Sequence, residues 1–321
     1  MKKEKQIKEL LQKVLDMAGD RVAQAHYSRD KSTATRLGEN AITQNMAGEE
    51  EKVRVEIWNG ARKGSMFTNR LDDDSLRNMV NIALEMSDQA PEDPEHVDIL
   101  GPQEYPDTPK SSFRDTLELT PEEIAGDVSK VVNAARGEGY RASGLFEAEA
   151  SVNAIANTKG LYCMEDDSVV EYSTTIHGPK GSGKNQLCRN SYADMDIGGF
   201  VSTALENAKM AQNPESIEPG DYTVIFEPAA LASILGFMLW NMKARDADEG
   251  TTFFAGKVGE KLFSEKIDIS LRIDDPELPP PTYGEDGLPV RPQTWVDGGV
   301  LKRLYHDRYW AKEKGVEPDY N

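Results

Sequence analysis

Residues 53–58 read Val-Arg-Val-Glu-Ile-Trp, with apolar and charged side chains alternating until the last pair. A period of two marks a strand with one face buried and the other wet. Asn59-Gly60 follows at once, and this dipeptide readily supplies the positive φ angles of a two-residue hairpin. Ala61 to Phe67 should therefore return antiparallel, with the pair at the edge of a sheet. Two shorter runs, Val22 to Tyr27 and Thr33 to Leu37, read as further strands separated by a polar turn, Ser28-Arg29-Asp30-Lys31. Helices flank these strands. Ile7, Leu10, Leu11, Val14 and Leu15 recur at helical spacing, and Asp74 opens a second helix that presents Leu76, Met79, Val80 and Ala83 on one face.

From Ala90 to Lys110 the chain is rich in Pro, Asp and Glu and has no period, which marks a linker or a long surface crossing. Thr120-Pro121-Glu122-Glu123 then combines an N-cap threonine, a proline at the first helical position and acidic residues near the positive end of the helix dipole. The helix should run to about Arg136, where Gly137 and Gly139 stop it. Extended runs from Arg141 to His177, turning at Asn157-Thr158-Lys159-Gly160, predict an antiparallel meander, closed by a helix over about 200–212. Tyr222 to Phe226 reads as a buried strand, and Ala229 to Met242 as an apolar helix belonging to a core. Leu262 to Ile273 reads as extended chain, Thr294 to Tyr305 as a hairpin through Asp297-Gly298, and Arg308 to Lys314 as a helix. No internal repeat is visible in the sequence. The sum is an α+β fold of mixed and antiparallel sheets with flanking helices, in two to three domains. Boundaries fall at 1–110 (an N-terminal α/β domain), 111–216 (a helix plus meander) and 217–321 (the start of a C-terminal domain).

The formal net charge is −19, which repels phosphate backbones and opposes sequence-independent nucleic-acid binding. Basic peptides are a better electrostatic match. Cys163 and Cys188 are the only cysteines, too few for a disulfide framework, so a cytoplasmic location is expected. The basic N-terminus leads into an amphipathic helix in place of a signal-peptide core, and no apolar run approaches the roughly 20 residues that cross a bilayer.

Several motifs tempt a chemical reading. Gly178-Pro179-Lys180-Gly181-Ser182-Gly183-Lys184-Asn185 follows a phosphate-binding loop up to its last position, where Asn185 replaces the magnesium-ligating Ser or Thr. No amphipathic helix follows to offer its N-terminus to phosphate, so a glycine-rich turn between strands is the better reading. Gly181-Ser182-Gly183 is too short for a nucleophile elbow. The histidines, His26, His96, His177 and His306, are isolated from one another, and a composite zinc site of His177, Cys163 and Cys188 would need the meander to bring them together. Acidic runs such as Asp72-Asp73-Asp74 read as solvated turns and caps, and Trp295 as a strand residue packed on the core. No residue is selected as catalytic, cofactor-binding or metal-binding.

Three stretches occur together in the order found in one family. They are Thr35 to Asn45 (Thr-Arg-Leu-Gly-Glu-Asn-Ala-Ile-Thr-Gln-Asn), Phe254 to Ser264, and Tyr283 to Arg291 followed by Gly299-Val300-Leu301 and His306-Asp307-Arg308. With these the chain resembles the TldD/PmbA family, whose older name links it to modulation of DNA gyrase. The resemblance implies a metallopeptidase made of paired subunits, one type bearing zinc on a His-Glu-x-x-x-His helix and the other, PmbA-like or TldE-like, without it. The corresponding helix here begins near Glu227-Pro228-Ala229-Ala230 and contains no histidine. The implied chain is thus a subunit inactive alone, holding no cofactor of its own and acting in proteolysis of peptide or unfolded-protein substrates. Its expected partner is a zinc-bearing TldD-like subunit, or a second copy of itself in a non-catalytic, peptide-binding regulatory dimer. No nucleic-acid or membrane partner is implied. The resemblance also implies further chain beyond a position like Asn321, so that the C-terminal domain is incomplete here.

Overall fold

The computed structural model describes residues 2–319. Its N-terminal part runs α1 (Glu4–Met17), β1 (Val22–Gly38), β2 (Ala41–Asn59), β3 (Arg62–Thr68) and α2 (Asp73–Gln89). After a crossing without regular structure and the single turn α3 (Arg114–Leu117), the same order returns. It comprises α4 (Pro121–Gly137), β4 (Arg141–Asn157), β5 (Tyr162–His177), β6 (Ser182–Arg189) and α5 (Ile197–Met210). All six strands form one antiparallel sheet in the order β3-β2-β1-β4-β5-β6.

The fold is therefore a duplication, although the sequence shows no repeat. Ala23, Ile57 and Gly64 lie side by side across β1, β2 and β3, and Ala142, Ile176 and Gly183 do the same across β4, β5 and β6. Buried Ile7, Leu11, Val14, Leu15 and Ala18 on and just past α1 recur at identical spacing as Ile124, Val128, Val131, Val132 and Ala135 on α4. The two halves meet through β1 and β4, and each hairpin tip bonds the first strand of the other half. Asn40 accepts from the Ala142 N–H at 2.8 Å, and Thr158 Oγ1 accepts from the Ala23 N–H at 3.1 Å. One face of the sheet packs against the helices in two cores, the first around Tyr27, Val55 and Leu76, the second around Phe146, Tyr172 and Phe200. The opposite face, carrying Gln24, His26, Arg54, Glu56, Asn153 and Glu165, points away from these helices.

Most expected elements are present. The Asn59-Gly60 turn sets β3 on the sheet edge, Thr120 caps α4 in a capping box with Glu123, and residues 157–160 turn between β4 and β5. The cap of α2 is Asp72, accepting from the Ser75 N–H, in place of Asp74. Three expectations fail. Ser28 to Lys31 is no turn but the middle of a continuous β1, because Ser28 pairs with both Lys52 and Asn153 and the ladders on either side override local turn chemistry. Tyr222 to Phe226 forms no strand and is exposed. The apolar helix α6 (Pro228–Trp240) forms as expected, yet none of its side chains is buried. Its composition demands burial, yet only Met238 and Leu239 in its last turn rest, partly buried, on the neighbouring core around Met242, while Leu231, Ile234, Phe237 and Trp240 stay exposed.

The C-terminal part adds α7 (Ala244–Asp248), β7 (Ile269–Leu271), β8 (Gln293–Asp297), β9 (Val300–Leu301) and α8 (Arg308–Lys314). The three short strands make a second antiparallel sheet over a small core of Met242, Phe254, Val296 and Leu301, against which Trp295 is half-buried. Of the expected extended run Leu262 to Ile273, only β7 is strand. Arg245 grips Glu95 with two hydrogen bonds of 2.9 and 2.8 Å, holding this part to the crossing segment. Among the described residues no helix is long and apolar enough to cross a membrane.

Candidate functional site

A cavity of about 670 Å³ opens between the helix-free face of the sheet and the C-terminal loop around Pro281 to Glu285. Alternation along the strands builds its floor. His26 on β1 stands directly across from Arg54 on β2, and Ser28 from Lys52, so four polar side chains form one patch. On β3, Phe67 faces Arg54 across the ladder and is 61 % exposed. From the other half come Asn153, Ile155 and Glu165. The C-terminal loop closes over them through hydrogen bonds. Glu165 accepts from the Thr282 N–H and Oγ1, both at 2.9 Å, and the Tyr283 hydroxyl donates to the Asn153 carbonyl at 2.8 Å.

The electrostatics of the floor are uneven. His26 Nε2 lies 3.1 Å from Gln24 Nε2, 3.5 Å from the Arg54 guanidinium and 3.6 Å from Glu56 Oε2. Burial alone would raise the Glu56 carboxyl, but contact with His26 and the charges of Lys63 and Arg54 hold it at about 2. Glu56 is thus a fixed negative charge at neutral pH. Lys63 pairs with it at 3.2 Å. By contrast, neither Lys52 nor Arg54 meets a carboxylate within ion-pair distance among the described residues.

Beside the cavity, Ile155, Leu161, Cys163 and Tyr283 form a small buried cluster, with Tyr105 edge-on to Tyr283 at 5.7 Å between ring centroids. Burial pushes the Cys163 thiol up to about 11, so it stays protonated and is no nucleophile at neutral pH. The Tyr105 and Tyr283 hydroxyls are raised as well, chiefly by burial, and serve as donors; Tyr105 bonds the Gly287 carbonyl at 2.9 Å.

The motifs singled out in the sequence take structural roles. The glycine-rich loop turns between β5 and β6. A Cβ at Gly178 would meet Gln212, one at Gly181 would meet Ala211, and one at Gly183 would meet Ala208. The glycines thus let the end of α5 lie against the strand, and the helix terminus beside them is the carboxyl one, of the wrong polarity for phosphate. His177 and Cys163 sit at opposite ends of β5, about 45 Å apart at roughly 3.3 Å per residue, and Cys188 lies on exposed β6. The composite zinc site is ruled out. No group of three His, Cys, Asp or Glu side chains among the described residues could hold a metal ion, and Pro228–Trp240 carries no ligand at all. Among the described residues no donor set fits zinc. None of the cavity residues was selected from the sequence. The alternation of 53–58 puts Arg54 and Glu56, and by extension Lys52, on the face away from the core, but only the pairing of β1 with β2 shows that His26 joins them.

Residues 219–321 match the family model of the PmbA/TldA metallopeptidase C-terminal domain. A Thermotoga maritima protein named for modulation of a DNA gyrase superposes with a TM-score of 0.88, at 18 % identity over 98 % of this chain and 74 % of its own. TldE from Thermococcus kodakarensis follows at 0.86, with 22 % identity over 98 % of this chain and 73 % of its own. The C-terminal third of the chain is thus similar to that domain of the PmbA/TldA metallopeptidases, and the chain as a whole shares the fold of these structures. A third member of the fold, a Bacteroides thetaiotaomicron protein also named for DNA gyrase, gives 0.85 at 20 % identity, over 100 % of this chain and 76 % of that one. No curated protein matches. The match to the C-terminal domain model covers α6, the second sheet and the loop that closes the cavity, so the cavity lies where the matched region meets the duplicated sheet.

Proposed function

We propose that this chain is a metallopeptidase-related subunit of the TldD/PmbA family that carries no zinc of its own, resides in the cytoplasm, and acts in peptide proteolysis with a zinc-bearing relative. The observation that carries the reading is the composition of α6, Pro-Ala-Ala-Leu-Ala-Ser-Ile-Leu-Gly-Phe-Met-Leu-Trp, where the family resemblance expects the zinc helix. Zinc needs imidazole, thiolate or carboxylate donors, and this helix has none. The chain's contribution is then to hold an extended or unfolded peptide in the cavity beneath residues 281–285 while the partner supplies the chemistry. A chain exposing an apolar helix is also better suited to work in an assembly than alone.

Metal analysis of the purified chain, with peptide-hydrolysis assays with and without a zinc-bearing relative, tests this. The expected result is sub-stoichiometric zinc, no turnover by the chain alone, and turnover in a co-purifying complex. Tightly held stoichiometric zinc with activity in isolation would overturn it. Stable self-dimers that bind peptide and never recruit a zinc-bearing relative would favour a regulatory homodimer.

A further inference from the structure

We infer that Arg54 and Lys52 seat a carboxylate of the peptide that occupies the cavity, with an apolar side chain of that peptide resting on Phe67. This rests on the peptide-holding role just proposed and adds the class of ligand group. The two cations stand two residues apart on one strand and one face, about 7 Å from each other. Both line the cavity. Two neighbouring basic groups on these strands are paired, Arg29 with Glu49 at 2.6 Å and Lys63 with Glu56 at 3.2 Å, while Lys31 bonds the Leu117 carbonyl. In a chain with 56 acidic and 37 basic residues, Arg54 and Lys52 nevertheless have no carboxylate within ion-pair distance among the described residues.

The surroundings match that role. Ser28, paired with Lys52, has a buried hydroxyl with no hydrogen-bond partner, a donor left over beside the two cations. Arg54 is held from behind by His26 at 3.5 Å, which leaves the rest of its guanidinium fork for an incoming anion. Phe67 and Ile155 add apolar surface on either side. Asp30 and Glu285 also line the cavity and would repel a doubly charged phosphate more than a single carboxylate. They suit the remainder of a peptide, whose N–H groups and basic side chains carry positive potential.

The test uses acetyl-Gly-Gly-Phe and its C-terminal amide, titrated separately into the whole chain by calorimetry or NMR. The acid should bind about tenfold more tightly than the amide, as expected for a charge-assisted, partly desolvated pair, and raised salt should erode only the acid's advantage. Replacing both cations, Arg54→Met with Lys52→Met, should abolish the preference for the acid over the amide. Phe67→Ala should weaken both peptides and preserve their ratio. Equal binding of acid and amide, a preference that survives the double substitution, or no binding of either peptide by the folded chain would overturn the inference. The zinc-free subunit reading stands or falls separately, on metal content and the co-purifying partner.

Discussion

Glu56 shows how one half-buried carboxylate ties the cavity floor to the stability of the sheet. Its ordinary value of 4.5 drops to about 2 in the folded chain, against the effect of burial, because His26, Lys63 and Arg54 surround it with positive potential. A depressed folded value means that the ionised form is preferred by the native state. The stabilisation is therefore complete above the unfolded value and is lost as pH falls from about 4.5 through about 2. Its size is at most roughly 3 kcal/mol by proton linkage, and less once solvent screening is allowed for. Glu56→Gln should thus cost stability at pH 6 in urea unfolding, and the gap between variant and parent should narrow below pH 4.5 and be mostly gone by about pH 2. A gap that stays constant over that range would mean that Glu56 acts through packing alone.

At the scale of elements, the closest approach of strand to helix recurs in both halves. Gly64 on β3 faces Ala83 and Ser87 on α2, as Gly183 on β6 faces Ala204 and Ala208 on α5. A Cβ at Gly64 would lie 2.6 Å from the Ser87 nitrogen and overlap the Ala83 carbonyl; one at Gly183 would lie 2.5 Å from the Ala204 carbonyl and overlap the Ala208 nitrogen. These are backbone atoms, so no rotamer change relieves them. Gly64→Ala and Gly183→Ala should each cost about 2–4 kcal/mol in chemical unfolding, by forcing strand and helix apart. Gly60→Ala should cost only about 1 kcal/mol, because its Cβ meets nothing and only the positive φ of the turn is strained. This close contact explains what the sequence could and could not convey. The α1 and α4 faces, the capping box at Thr120 and the Asn59-Gly60 turn are local patterns, and each was legible. The duplication was not, because it is preserved in register and in spacing of buried positions more than in residue identity: Val55 on β2 corresponds to Thr174 on β5, and Tyr27 to Phe146. The cavity was half legible, since alternation displays Arg54 and Glu56, whereas His26 joins them only through a pairing made across the hairpin.

For the molecule as a whole, two tendencies of different range oppose each other. A net charge of −19 makes copies of the chain repel, while the segment from Tyr222 to Trp240 exposes apolar surface that water disfavours, with Ile225 93 %, Phe237 68 % and Trp240 67 % exposed. The repulsion is long-ranged and acts through solvent, so salt weakens it, with a screening length of about 30 Å at 0.01 M and about 3 Å at 1 M. The apolar attraction acts at contact and is not weakened by such screening. The isolated chain should therefore remain dispersed at low ionic strength and associate as salt is added, which sedimentation or light scattering at fixed protein concentration would follow. Phe237→Ser combined with Trp240→Ser should suppress that association without lowering the stability of the six-stranded sheet, since neither side chain is buried and the sheet's two cores contain no residue of α6. Association that persists unchanged in the double variant, or that salt dissolves, would place the attraction elsewhere on the surface and make it electrostatic in the second case.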